Sequence, residues 1–208
     1  MKLSRQLKNK KIYLISPTKV DNKIFYSQLR KVLSFNNVSI FQLRLKQEKE
    51  KEKFKIGKKI RKITKKYKVK LLINDSPLLA KKLKADGCHL GQKDAHISKA
   101  RKILGFKKII GVTCHNSKKL VSKAVKLKAD YIALGSFFKT KTKKVKHKAT
   151  LNVLKWCKKT YKITVVAIGG INNNNYKKLL LNQADFLAIS GYVWNNKKLK
   201  PEQAIQNF

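Results

Sequence analysis

The sequence predicts a small (β/α)8 barrel, an α/β fold filling one domain over residues 1–208. Three observations predict it. Short apolar runs alternate with longer segments of helical period, the pattern of strands joined by crossover helices in a parallel sheet. The alternation repeats eight times, the number that closes such a sheet into a barrel. Chemically able polar residues recur where the apolar runs end, and in a barrel those ends share one mouth. An open, doubly wound sheet is the alternative with the same alternation.

The elements follow in order. Lys11–Ser16 reads as a strand and Asn22–Phe35 as a helix. Val38–Leu43 is a strand, and Glu48–Tyr67 a helix with Phe54, Ile56, Ile60, Ile63 and Tyr67 on its apolar side. Lys70–Asn74 is a strand, followed by a short helix at Pro77–Leu83, where Pro suits the first turn. Gly87–Leu90 is a strand, and Ser98–Leu104 a helix with Ser98 as N-cap. Ile109–Cys114 precedes a helix at Ser117–Lys128, capped by Asn116 or Ser117. Asp130–Leu134 and the helix Thr150–Thr160 come next, then the strand Ile163–Ile168 and the helix Asn173–Asn182. Ala184–Ile189 is the last strand, and Pro201–Phe208 closes the chain as a helix.

Composition narrows the class. Hydrophobic residues make up 42% of the chain, enough for a core, yet no apolar run nears the roughly 18 residues a membrane span needs. The basic Met1–Lys11 leads into a strand-like run, not the core of a signal peptide, so the expected location is cytoplasmic. Cys88, Cys114 and Cys157 are scattered and fit reduced, structural thiols.

The formal charge is +42, with 52 Lys and Arg against 10 Asp and Glu. Clustered cations bind nucleic acids, but here Lys is spread from end to end and greatly outnumbers Arg. Arg forks and aromatic platforms for reading bases are not evident. Nonspecific polyanion binding at low salt is expected, without a specific nucleic-acid role.

The candidate site comes from the polar islands. Gln42, Arg44 and Lys46 alternate and leave one face of an extended segment, where the two cations suit an anion. Asp75 and Asp94 each follow a strand, and in a chain so poor in acid they suggest Mg²⁺, which commonly takes one or two carboxylates with substrate phosphate and water. Helix capping is the competing role for both. Asn74 offers an amide to a ring nitrogen or amino group. Gly169-Gly170 after one strand and Ile189-Ser190-Gly191 after the next suit a phosphate held between the last two loops. Thr140, Lys141, Thr142 and Lys143 in the long connection Ser136–Ala149 offer a second anionic contact, and His115 ends a strand. No Ser–His–Asp order, GxGxxG or Walker sequence is present.

These islands, in this order, resemble the thiamine-phosphate synthase family. The resemblance runs through QLRLK at 42–46, IND at 73–75, ADGCHLGQKD at 85–94, GVTCHN at 111–116, ADYIALGSFFKTKTK at 129–143, VAIGGI at 166–171 and AIS at 188–190. It implies a barrel enzyme that couples 4-amino-2-methyl-5-pyrimidinylmethyl diphosphate to 4-methyl-5-(2-phosphooxyethyl)thiazole, giving thiamine phosphate and diphosphate. It also implies that Gln42, Arg44 and Lys46 contact the pyrimidine diphosphate, with Asn74 at the pyrimidine end. Asp75 and Asp94 match the Mg²⁺ ligands. Thr113 matches a substrate-binding position where the family usually has Ser, and keeps a hydroxyl. Thr140 and Thr142 match thiazole-phosphate contacts, Lys143 matches the diphosphate-binding lysine, and Gly170, Ile189 and Ser190 match the thiazole-phosphate cradle. By the same resemblance Arg44, Lys46 and Lys143 are the catalytic cations. Lys139 departs from a frequent Pro, Lys143–Lys148 is unusually basic, and Gly191 and Tyr192 follow Ser190 where small residues are common.

Two rival readings remain at this point. A thiazole tautomerase of the same family has no diphosphate to expel, so Asp75, Asp94 and Lys143 favour the synthase, while His115 keeps the tautomerase in view. A decayed barrel that binds nucleic acid through its charge would have no reason to keep the acidic pair.

Overall fold

In the computed structural model, which describes residues 11–20, 22–140 and 147–208, eight parallel strands close in chain order into a barrel. They are β1 (Ile12–Ile15), β2 (Val38–Leu43), β3 (Lys70–Asn74), β4 (Gly87–Leu90), β5 (Ile109–His115), β6 (Tyr131–Gly135), β7 (Thr164–Ile168) and β8 (Phe186–Ile189). Helices α1 (Asn22–Ser34), α2 (Glu50–Lys66), α3 (Pro77–Lys82), α4 (Ile97–Leu104), α5 (Lys118–Lys126), α6 (Leu151–Thr160) and α7 (Tyr176–Leu181) connect successive strands. After β8 come α8 (Gly191–Trp194) and α9 (Pro201–Gln206). Closure is made by β8 on β1, where Tyr13 pairs with Ala188. The open-sheet alternative is thereby excluded.

Side chains alternate along each strand and build two cores. One row packs against the helices, for example Phe41, Leu43, Leu71, Ile73, Val112 and Ile189. The other fills the barrel: Tyr13, Ile40, Leu72, Tyr131, Val166 and Phe186. Two tyrosines need space inside so narrow a barrel. Gly111 on β5 supplies it, because a Cβ there would overlap the Tyr131 ring.

At the N-terminal ends of the strands, a clasp recurs three times. Asp86, Asp130 and Asp185 precede β4, β6 and β8. Their carboxylates accept the N–H of Leu71, Ile110 and Val165, near the start of the strand before, at 2.7–2.8 Å. The same carboxylates meet Arg61, Arg101 and Lys158 on α2, α4 and α6, each at 2.8 Å. This device explains two boundaries. Asp130 and Ala184 were predicted as strand residues, but β6 and β8 begin after the clasping aspartates. Sequence reasoning passed over the clasp, although its signal was an Ala-Asp pair before β4, β6 and β8, at 85–86, 129–130 and 184–185.

Local side chains account for the other differences. His96, not Ser98, caps α4, its ring accepting the Ser98 N–H. Ser117 caps α5, while Asn116 instead accepts the Thr150 N–H before α6. The stretch Asn173–Asn175 was predicted as the start of the helix after β7. Asn175 Oδ1 accepts from Asn172 N at 2.9 Å and Asn172 Oδ1 from Asn174 N at 2.9 Å. These local bonds compete with the helix, and α7 starts only at Tyr176. The short α8 was not predicted; its Trp194 indole donates to the Ile15 carbonyl at 2.7 Å and ties the chain's end to β1.

Candidate active site

The alternation at the end of β2 is realised. Leu43 and Leu45 turn into the helix-side core, leaving Gln42, Arg44 and Lys46 on the opposite face. Gln42 is 3% exposed and donates from Nε2 to the Tyr13 hydroxyl at 2.9 Å. The Arg44 backbone N–H donates to Ser16 Oγ at 3.0 Å, tying the end of β2 to that of β1. Burial pulls the Arg44 guanidinium below its ordinary value, and the charge of Asp75 opposes the pull. Lys46 Nζ reaches Asp75 Oδ2 at 3.4 Å.

Asp75 lies just past β3 with φ +64, and its N–H donates to the His89 carbonyl at 2.8 Å. That bond fixes the carboxylate at the junction of β3 and β4. Asp94 folds back over β4, its Oδ2 accepting the Gly91 N–H at 2.7 Å. The Asp94 carboxylate lies close enough for its charge to act on Asp75. Burial and the adjoining Asp94 push the Asp75 carboxyl above its ordinary value, while Lys46 pulls it down.

Neither acid is needed as a helix cap. Ser76 caps α3 by accepting the Leu79 N–H at 3.1 Å, and His96 caps α4. Among the described residues no cluster of three or more His, Cys, Asp and Glu side chains exists to hold a metal. A pair of carboxylates suits a cation that keeps water and substrate oxygens among its ligands. Two adjoining acids held together against their mutual repulsion fit such a cation.

A recess of about 310 Å³ opens beside Asp75, lined on its polar side by Lys46, Glu50, Lys53, Asn74 and Ser76. It lies toward α2 and α3, and neither Asp94 nor Thr113 lines it.

The other expected residues fall on two sides of the mouth. Asn74 ends β3 half-buried. Thr113 on β5 meets His89 Nε2 at 2.8 Å through its hydroxyl, while its carbonyl accepts from the Gln92 side chain. His115 has φ +54 and lies against His147, ring centres 4.5 Å apart. Across the mouth, Thr140 is half-buried in the loop after β6; Thr142 and Lys143 lie outside the described residues.

Gly169 and Gly170 have φ +103 and +64, conformations that disfavour any other residue. The loop after β6 packs onto this turn, with the Phe138 N–H donating to the Gly169 carbonyl at 3.0 Å. Ser190 Oγ donates to the Ser16 carbonyl at 3.2 Å. Ile189 is 1% exposed with its side chain in the helix-side core, so a contact from Ile189 to a ligand would come from its backbone.

Tyr13, Tyr131 and His89 carry more of the site than their sequence positions suggested. His89 Nδ1 meets the Tyr131 hydroxyl at 2.7 Å, and the two tyrosine hydroxyls are 2.7 Å apart. Burial pushes His89 down to about 4, so its imidazole is neutral near pH 7. These contacts join strands far apart in the chain, and no local pattern in the sequence signals them.

The profile of the family described as Thiamine monophosphate synthase matches residues 12–193. The chain belongs to this family. A thiamine-phosphate synthase from Pelagibacter ubique is 63% identical over 199 residues, covering 95% of this chain and 96% of the relative. One from Erythrobacter litoralis is 41% identical over 197 residues, covering 93% and 92%. Among solved structures, a thiamine phosphate pyrophosphorylase from Pyrococcus furiosus superposes with a TM-score of 0.84 at 28% identity, covering 97% of this chain and 95% of its own. The family match takes in both the acidic pair after β3 and β4 and the Gly-Gly turn after β7. It gives the tautomerase and decayed-barrel readings no support.

Proposed function

We propose that this chain is a thiamine-phosphate synthase, joining 4-amino-2-methyl-5-pyrimidinylmethyl diphosphate to 4-methyl-5-(2-phosphooxyethyl)thiazole. The observation that carries the reading is the meeting of Arg44, Lys46, Asp75 and Asp94 at one edge of the mouth, in a chain 63% identical to a protein of that name.

In the reaction, the bond from the pyrimidine methylene carbon to the diphosphate oxygen breaks. The thiazole nitrogen supplies the electron pair for the new carbon–nitrogen bond, and diphosphate leaves with the old pair. Arg44 and Lys46 lie where the leaving charge grows and stabilise it more than they stabilise the substrate. Lys143 is assigned the same task from the family pattern. Mg²⁺, held by Asp75 and Asp94, would supply further neutralisation of the diphosphate. Asn74 and Gln42 orient the pyrimidine end. Gly170, Ser190 and the backbone of Ile189 hold the thiazole phosphate, with Thr140 and, from the family pattern, Thr142, and bring the nitrogen close to the carbon it attacks. No protein nucleophile is required.

No helix among the described residues is long and apolar enough to cross a membrane. The three buried free thiols suit a reducing cytoplasm. The cationic surface binds polyanions nonspecifically at low salt, without a dedicated nucleic-acid site.

The test is an assay of the purified protein with both phosphorylated halves and Mg²⁺ at moderate salt. Mg²⁺-dependent release of thiamine phosphate and diphosphate in equal amounts is expected. Well-folded protein that releases neither product would overturn the reading. Conversion of a thiazole precursor in that case would identify a tautomerase, and salt-sensitive capture of RNA alone a charge-driven binder.

A further inference from the structure

Five side chains form one continuous hydrogen-bonded line through the barrel. Gln42 Nε2 donates to Tyr13 at 2.9 Å, Tyr13 meets Tyr131 at 2.7 Å, Tyr131 meets His89 Nδ1 at 2.7 Å, and His89 Nε2 meets Thr113 Oγ1 at 2.8 Å. The line joins β2, β1, β6, β4 and β5. Its two ends are residues assigned to the substrate. Its three middle members are buried, at 1% exposure or less for the tyrosines and 8% for His89.

Each hydroxyl has one proton, and neutral imidazole has one donor and one acceptor nitrogen. The line therefore has a single sense along its length. Because Gln42 donates to Tyr13, the Tyr13 proton goes to Tyr131. The Tyr131 proton goes to His89 Nδ1, which leaves the imidazole proton on Nε2. Thr113 Oγ1 then accepts from Nε2–H, and its own proton is free to point into the mouth. The opposite sense would need Gln42 to turn its amide oxygen to Tyr13. A mixed sense leaves a buried hydroxyl or ring nitrogen unpaired, which costs on the order of 1–3 kcal/mol.

We propose that Gln42, Tyr13, Tyr131 and His89 act as a polarity relay that fixes the Thr113 hydroxyl as a donor toward an anionic group of the substrate. Tyr13, Tyr131 and His89 are thereby positioning residues, acting through Thr113. The donor role rests on the synthase reading above, since that reading supplies the diphosphate. The relay also accounts for two glycines: Gly111 admits the Tyr131 ring and Gly87 lets β4 lie close against Ile109, so that His89 and Tyr131 meet.

The first test needs no substrate. In the full-length protein labelled with ¹⁵N-histidine, long-range proton–nitrogen NMR should show His89 protonated on Nε2 and bare on Nδ1. A proton on Nδ1 would overturn the relay while leaving the synthase reading untouched. The second test is a double-mutant cycle in the coupling assay. Tyr131→Phe should raise the KM for the pyrimidine diphosphate roughly tenfold, the loss of one charge-assisted hydrogen bond, with a smaller change in kcat. The same change on a Thr113→Val background should add almost nothing, and Thr113→Ser should keep the wild-type KM. Equal losses from Tyr131→Phe on both backgrounds would mean a packing role only and would overturn the proposal. Should Tyr131→Phe fail to fold, the tautomer measured in the wild-type protein still decides. A wild-type protein with the expected tautomer but no coupling activity would overturn the donor role together with the synthase reading.

Discussion

Arg101 on α4 and Asp130 before β6 meet at 2.8 Å at the end of the barrel opposite the mouth, and the same aspartate oxygen holds the Ile110 N–H at 2.7 Å. Arg101 also donates to the carbonyls of Gly105, Lys108 and Lys128 at 2.7–3.2 Å, knitting the loops beneath α4 and α5. Asp130→Ala removes the charge partner of a guanidinium whose side chain is only 11% exposed and frees a buried backbone donor. The expected cost is about 2 kcal/mol, below that of a fully buried pair because the carboxylate is partly wet. Urea unfolding should show the lower midpoint. Coupling by the folded protein should be unchanged, since the clasp lies far from the mouth.

The acidic pair should separate folding from catalysis. Asp94→Asn keeps a side-chain oxygen for the Gly91 N–H but removes one charge of the acidic pair proposed to hold Mg²⁺. A loss of coupling of at least 100-fold is expected, with the unfolding midpoint equal to or above that of the parent. Repulsion from Asp94 is one of the causes that raise Asp75, so its removal relieves the folded state when no metal is bound. Mn²⁺ binding followed by electron paramagnetic resonance should weaken in parallel. Full activity in the variant would remove the metal assignment.

His89 sets an acid limit. It is held at about 4 in the folded chain against 6.5 when unfolded, mainly by burial; Arg44 lowers it further and Asp94 opposes, with Tyr131 and Thr113 as its hydrogen-bond partners. A lowered folded value means that the unfolded chain takes up the proton first as pH falls. The stability contributed is complete above pH 6.5 and is lost as pH drops toward 4. The loss amounts to about 3 kcal/mol by the usual 1.36 kcal/mol per pH unit. Urea midpoints measured from pH 7 to 4 should fall over this window, and the fall should be blunted in His89→Asn.

The thiols should be silent in the folded state. Burial pushes Cys88 and Cys114 up to about 12 and Cys157 up to about 11. Thiolate, the reactive form, is therefore scarce at pH 8. A disulfide reagent should label three sulfurs in denaturant and almost none without it. Rapid labelling of native protein would contradict the packing of β4, β5 and α6.

The acids make the extreme charge intelligible. Of the ten, Asp86, Asp130 and Asp185 clasp the strands, Asp75 and Asp94 face the mouth, and Glu50, Glu52 and Glu202 occupy first turns of helices, where the dipole favours them. Most of the acids thus have a structural or chemical task, and the surface is left to lysine.

Periodicity determined eight strands alternating with helices in a parallel sheet, while closure of that sheet, against the open alternative, was decided by the pairing of β8 with β1. The period of two placed Gln42, Arg44 and Lys46 on one face, and the order of the apolar runs put Asp75 and Asp94 after consecutive strands. Only the tertiary structure decided that Ser76 and His96 do the capping and leave the two aspartates together, since competing caps look alike in one dimension. It alone brought Tyr13 and Tyr131, 118 residues apart, to a 2.7 Å contact and joined them to His89. That contact depends on the order of strands around a closed sheet and on the space left by a glycine on the neighbouring strand. Local sequence encodes which way a side chain points, and closure of the barrel decides what it meets.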